Sequence, residues 1–205
     1  MDVKYASFRE SGRLLTGPDM VKAMQGKQIL VTEIDIVDTG ALQKLPELRV
    51  VAACRSNAVN VDVEACTAFG IPVISAPGRN AFAVADITVA FILAQARKLT
   101  AAAEFLKDES VTVGNMGKMG QAFGSLQGNE LWHKTIGLIG LGAVGRMVAD
   151  RLNGFGARII ASDPFATPES AALAGVELVD LDTLLQESDF VSLHAAVVPA
   201  TIHMI

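Results

Sequence analysis

Gly140, Gly142 and Gly145 stand in the spacing Gly-x-Gly-x-x-Gly directly after an apolar run, Thr135 to Ile139. That pattern fits a strand, a tight turn and the start of a helix. The first glycine permits the turn, and the second lets a pyrophosphate approach bare backbone. The third lets helix and strand pack closely. Free N–H groups and the positive end of the helix dipole then face the phosphates. Asp163 follows 23 residues beyond Gly140, where a second strand is expected to end. A carboxylate there can accept hydrogen bonds from an adenosine ribose. Glycines also serve ordinary turns, so a βαβ unit without a nucleotide is the alternative. The flanking pattern on both sides favours the dinucleotide.

The elements that would position these residues are legible around them. Val144, Met147, Val148, Leu152 and Phe155 recur at helical spacing, closed by Gly156. Residues 157–162 read as the second strand, which Pro164 stops. Further on, 168–174 fits a short helix, 176–179 a strand, 181–187 a helix and 189–194 a strand. Upstream, 28–32, 48–54 and 71–75 read as strands. Residues 19–24, 38–45 and 62–69 read as helices, with Asp38 as an N-cap and Gly70 as a C-cap. Asn80 is placed to cap a long apolar helix, 81–96. Such alternation predicts parallel sheets covered on both faces. The glycine-punctuated stretch from Lys98 to Lys134 reads as a linker helix followed by an extended excursion. Residues 1–27 are poorly patterned.

Composition narrows the classes. Half of the 205 residues are apolar (51%) and the net charge is −5, with no basic run. A packed core is affordable, and a nucleic-acid surface is not expected. Cys54 and Cys66 form no metal spacing, and His133, His194 and His203 show no ligand pattern, so no metal is expected. Cys54 fits an apolar strand as a small hydrophobe, which points to a reducing compartment, and no signal peptide opens the chain, so a cytoplasmic protein is expected. The apolar run 81–96 is too short for a bilayer and carries Asp86, so no membrane span is expected. It fits a helix buried between layers or subunits.

Taken together, the motifs resemble the D-isomer-specific 2-hydroxyacid dehydrogenases, particularly their phosphoglycerate-dehydrogenase-like branch. The matching stretches are Arg55-Ser56-Asn57-Ala58-Val59-Asn60-Val61-Asp62, Gly70-Ile71-Pro72-Val73, Ala76-Pro77-Gly78-Arg79-Asn80 and Val84-Ala85-Asp86. They continue with Gly128-Asn129-Glu130-Leu131, the glycine motif, Phe155-Gly156, Ser162-Asp163-Pro164 and Leu193-His194. Two features depart from the pattern. The loop at Ser56-Asn57-Ala58 lacks the family's usual glycines, and Asp86 replaces its usual glutamate.

The resemblance implies an α/β protein of two doubly wound parallel-sheet domains. Residues 1–100 would form the N-terminal part of a flavodoxin-like substrate domain. Residues 101–205 would form a Rossmann NAD-binding domain, incomplete at its C-terminus. NAD is the implied cofactor, with Asp163 disfavouring the extra phosphate of NADP. Gly140, Gly142, Ala143, Val144 and Gly145 match the pyrophosphate turn, and Asp163 and Pro164 the ribose-binding strand end. His194, Ala195 and Ala196 match the strand end beside the nicotinamide-side ribose. Ser56, Asn57 and Asn80 match substrate-binding positions, the first two through backbone N–H groups on a carboxylate. The family's catalytic arginine, glutamate and histidine fall beyond Ile205, so no catalytic residue is assigned, and the chain alone is expected to be an inactive fragment. The resemblance further implies a small 2-hydroxy or 2-oxo acid substrate and a homodimer. A different class, an NAD-binding corepressor of the same superfamily, is the alternative.

Overall fold

The computed structural model describes residues 3–6 and 8–205. They form two compact units that divide between Arg79 and Asn80. The first contains α1 (Phe8–Ser11), α2 (Gly17–Met24), β1 (Ile29–Thr32), α3 (Thr39–Leu42), β2 (Val50–Ala53), α4 (Val63–Ala68) and β3 (Val73–Ser75). Its sheet is parallel, in the order β1-β2-β3, with Ile29 opposite Val50 and Val51 opposite Val73. Asp38 and Asp62 cap α3 and α4 by accepting the N–H groups of Ala41 and Ala65. Each cap satisfies a donor that the helix start leaves free. The Thr39 hydroxyl and the Ala65 N–H hold the Asp62 carboxyl below the usual carboxylate range.

Helices α2, α3 and α4 cover one face of this sheet, where Met20, Leu42, Val51 and Cys66 are buried. Burial pushes the Cys66 thiol up, so it serves as a small apolar filler. The other face departs from the expectation of two covered faces. Strand β1 alternates exposed and buried, and Ile29, Val31 and Ile74 are all exposed. The described helices of this unit pack on only one side of the strands.

The second unit begins with α5 (Ala81–Ala96), α6 (Leu99–Phe105) and α7 (Met116–Ser125). It continues with β4 (Thr135–Ile139), α8 (Ala143–Asn153), β5 (Arg158–Ser162), α9 (Pro168–Ala172), β6 (Glu177–Leu178), α10 (Leu181–Glu187), β7 (Phe190–Leu193) and a 3₁₀ turn, Pro199–Thr201. Four parallel strands run in the order β6-β5-β4-β7. Strand β4 is central and almost wholly buried, as a parallel strand covered on both faces must be.

The compact units divide at Arg79, some distance before the domain boundary expected near residue 100. Helix α5 belongs with the second unit because Ala85, Val89, Ile92 and Ala96 share a core with Leu131, Val148 and Leu152. Asp86 on its open side accepts a 2.6 Å hydrogen bond from Arg151 Nε on α8. Among the described residues, no helix is long and apolar enough to cross a membrane.

The linker helix expected after Lys98 is α6, whereas the excursion that follows is corrected, since it folds into α7 instead of running extended. Asn115 caps α7 by accepting the Lys118 N–H and donates from its amide to the Ser110 carbonyl. Lys118 pairs with Asp108 across the turn between the helices. The root closes where the Asn129 N–H reaches the Ala96 carbonyl at 2.7 Å and Lys98 Nζ reaches that of Ser125 at 3.1 Å. No residue of α7 is buried, and Met116, Met119 and Phe123 lie exposed. Local polar bonds therefore offset three in-helix glycines, each of which costs about 1 kcal/mol relative to alanine.

Candidate functional site

The order β6-β5-β4-β7 reverses direction between β4 and β7. In an open parallel sheet, ligands bind outside the carboxyl ends of the strands at such a switch point. Gly140 leaves β4 with φ +98°, a conformation that glycine supplies without strain. A Cβ at Gly140 would lie 2.8 Å from the Ala195 nitrogen and 2.9 Å from the His194 carbonyl carbon. A Cβ at Gly145 would fall 2.2 Å from the Gly140 carbonyl oxygen. Backbone therefore presses on both of these glycines. Gly142, the N-cap of α8, differs because a Cβ there would meet nothing within 4 Å. The open space lies at the start of an 11-residue helix, whose first N–H groups have no acceptor inside it. Gly142, Ala143 and Val144 thus leave backbone N–H groups open at a helix start, a setting suited to an anion.

Asp163 follows β5 at the same end of the sheet. Its Oδ2 accepts the Leu141 N–H at 2.7 Å and its Oδ1 the Phe165 N–H at 2.8 Å. Each oxygen retains a lone pair, so two neighbouring hydroxyls of a ribose can still donate to it. Pro164 brings no competing N–H. The bond from Asp163 back to the glycine turn is absent from the sequence pattern, which shows only the acid's position at a strand tip.

Across the switch point, the His194 N–H donates to the Ile139 carbonyl at 2.7 Å. Its Nε2 lies 3.0 Å from Ser192 Oγ, and burial lowers its pKa, favouring the neutral imidazole. The Ala196 carbonyl accepts from Thr201 Oγ1 at 2.7 Å, which pins the segment after β7. The structure thus gathers Gly140 to Gly145, Asp163, Pro164 and His194 to Ala196 along one edge.

The first unit has its own cluster at the carboxyl ends of its strands. Ser56 Oγ accepts the Gly78 N–H at 3.3 Å, joining the loops after β2 and β3. Arg79 donates from Nε to the Cys54 carbonyl and pairs with Glu33 at 2.5 Å. Arg55 Nε donates to the Glu33 carbonyl at 2.7 Å. Asn57 is exposed in the same loop. Sequence reasoning gives Arg55 and Arg79 no roles, and it passes over Glu33. Their partners lie 22 and 46 positions away, beyond any local pattern. Asn80 occupies the N-cap position of α5, but its side chain makes no capping bond. Its backbone, at φ −106° and ψ 10°, lies outside the extended region in which a cap side chain reaches forward. Among the described residues, no group of three or more His, Cys, Asp or Glu could hold a metal ion.

Residues 89–205 match the family model described as "D-isomer specific 2-hydroxyacid dehydrogenase, NAD binding domain". The chain is 36% identical over 197 residues to D-3-phosphoglycerate dehydrogenase of Mycobacterium tuberculosis, covering 94% of this chain and 35% of that protein. It is 40% identical over 171 residues to hydroxypyruvate reductase of Thermotoga maritima, covering 83% and 50%. The apo-structure of D-lactate dehydrogenase from Escherichia coli superposes with a TM-score of 0.76 at 28% identity, covering 94% of this chain and 58% of that one. The chain thus spans about a third to a half of the length of these two sequence relatives. The free backbone surface at Gly142, with an acid at the second strand's tip, fits the cofactor that the matched domain binds. The cofactor is NAD, and the chain belongs to the D-isomer-specific 2-hydroxyacid dehydrogenase family.

Proposed function

We propose that the chain is the NAD-binding domain and part of the substrate domain of a dehydrogenase acting on the CH–OH group of a D-2-hydroxy acid. The observation that carries this reading is the open backbone surface at Gly142, set between Asp163 and the His194-Ala195-Ala196 segment. Gly142, Ala143 and Val144 receive the pyrophosphate, and Gly140 and Gly145 hold the turn against its neighbours. Asp163 and Pro164 receive the adenosine ribose, and the segment after β7 receives the nicotinamide-side ribose. When bound, NAD supplies the hydride acceptor or donor. In the first unit, backbone N–H groups at Ser56 and Asn57 hold the substrate carboxylate. Asn80, at the head of α5, is a further substrate-binding residue. Phosphoglycerate-like acids lead the substrate class, because the relatives include a phosphoglycerate dehydrogenase.

No acid–base group for hydride transfer is assigned among these 205 residues, and the chain alone is proposed to be inactive. The uncovered face at Ile29, Val31 and Ile74 supports a longer polypeptide, since each such side chain gains about 1.5–3 kcal/mol when buried. Met116, Met119 and Phe123 on the projecting α7 support self-association as a homodimer. The free Cys54 and Cys66 fit a cytoplasmic location. The test is NAD reduction with a panel of D-2-hydroxy acids, comparing this chain with one extended to the length of its relatives. Turnover by the extended form alone is the expected result. NAD binding without turnover by the extended form would favour the non-catalytic, corepressor-type alternative.

A further inference from the structure

Two successive peptides of the glycine turn are each held by a side chain. The Leu141 N–H, on the Gly140–Leu141 peptide, donates to Asp163 Oδ2 at 2.7 Å. The Leu141 carbonyl, on the Leu141–Gly142 peptide, accepts from Arg146 Nε at 2.9 Å. The Leu141 side chain between them is buried at 1% exposure, so the residue is anchored at three points. Carbonyl and N–H point in opposite directions across a trans peptide. By holding the Leu141 carbonyl, Arg146 therefore also sets the direction of the Gly142 N–H, which borders the open surface.

We infer that Arg146 is a positioning residue for the cofactor, acting through the Leu141 carbonyl and paired with Asp163 to preset the turn that meets the pyrophosphate. The inference rests on the NAD reading and goes beyond it, because the glycine spacing assigns no task to Arg146. Without the Arg146 bond, the Leu141–Gly142 peptide has no hydrogen bond among the described residues to fix its direction, and ordering it on binding would cost affinity. The rival role is a plain positive charge beside the phosphates. The two roles separate on the choice of cation. Lysine keeps the charge, but it lacks a donor at the Nε position and carries only a flexible terminal ammonium.

The test is a calorimetric NAD titration of the 205-residue chain carrying Arg146→Lys or Arg146→Met, at two salt concentrations. Amide hydrogen exchange at Leu141 and Gly142 is followed without cofactor. Both variants should weaken NAD binding about tenfold, as for loss of a hydrogen bond to a charged group. The salt dependence should stay that of the wild type, and exchange should quicken at Leu141 and Gly142 in both. Wild-type affinity in Arg146→Lys, together with a weaker and less salt-dependent Arg146→Met, would overturn the positioning role in favour of the charge. Unchanged affinity and exchange in both variants would overturn any role. If the wild-type chain bound no NAD, the NAD reading would fail separately. The exchange rates would still decide whether Arg146 holds the turn, and unchanged rates would reject it.

Discussion

Gly142 and Gly145 sit three residues apart in one motif, yet the structure predicts opposite consequences for the same substitution. A Cβ at Gly145 would lie 2.2 Å from the Gly140 carbonyl oxygen, a contact with backbone that no rotamer can relieve. The turn or the helix must move by roughly an ångström, and overpacking of this kind costs about 1–3 kcal/mol. Alanine regains about 0.5–1 kcal/mol over glycine inside a helix, so Gly145→Ala should lose on the order of 1–2 kcal/mol of stability. Gly142 has φ −74°, and an alanine methyl group there would meet nothing within 4 Å. Gly142→Ala should therefore change stability by less than about 1 kcal/mol, the modest cost of replacing a favourable N-cap residue. Its methyl group instead fills the space into which a pyrophosphate must come. Losing one charge-assisted hydrogen bond costs about 1.5–3 kcal/mol, or roughly tenfold to a hundredfold in NAD affinity. Urea denaturation and calorimetric NAD titration of both variants measure the two effects. Wild-type NAD affinity in Gly142→Ala, or wild-type stability in Gly145→Ala, would refute the division of roles.

Three further outcomes are expected from other parts of the molecule. Asp163→Ala should narrow the preference for NAD over NADP, mainly by weakening NAD, because the acid also holds the Leu141 N–H. An unmutated chain that bound NADP as well as NAD would contradict this. The His194 pKa is lowered in the folded chain, so the unfolded chain binds the proton first as pH falls. The contribution of its neutral form is present above about pH 6.5, the ordinary histidine value, and is lost as pH drops through the lowered folded value. Thermal unfolding between pH 7.5 and 5 should show this loss in the wild type and a smaller one in His194→Gln. Equal pH dependence in the two would remove His194 as the cause. Finally, Phe123→Asp on α7 should shift sedimentation from dimer to monomer with little change in melting temperature, since Phe123 is 75% exposed. A wild-type monomer at micromolar concentration would contradict the self-association proposal.

The glycine motif was legible because its constraints are local. Gly140 needs a positive φ, Gly145 a close approach, and both follow from spacing after an apolar strand. The four strands of the second sheet were legible from apolar runs between turn residues, with ends shifted by a residue or two. Strand β6, expected over 176–179, is reduced to Glu177–Leu178. Helix α7 was not legible, because Gly117, Gly120 and Gly124 argue against a helix on propensity. What holds it is a set of polar ties, including Lys118 to Asp108 and Lys98 to the Ser125 carbonyl, that no periodicity displays. The compact-unit boundary at Arg79 is not legible for a related reason. Helix α5 is apolar all round, so its sequence names no preferred face, and only the packing of Ala85, Val89 and Ile92 shows which core it joins. The Asn80 side chain was given a capping task on residue type alone, whereas capping depends on a backbone angle that type does not fix.

In the proposed function, NAD lies across the carboxyl end of the second sheet, over Gly142. This placement is tested most directly by titrating NAD into the ¹⁵N-labelled chain and following assigned backbone amides. Saturable shifts are expected to concentrate at Gly142, Ala143 and Val144, at Phe165 beside Asp163, and at Ala195. Saturable shifts centred on the opposite end of the sheet, at Thr135, Arg158 and Asp189, or no saturable shift at any amide, would contradict it.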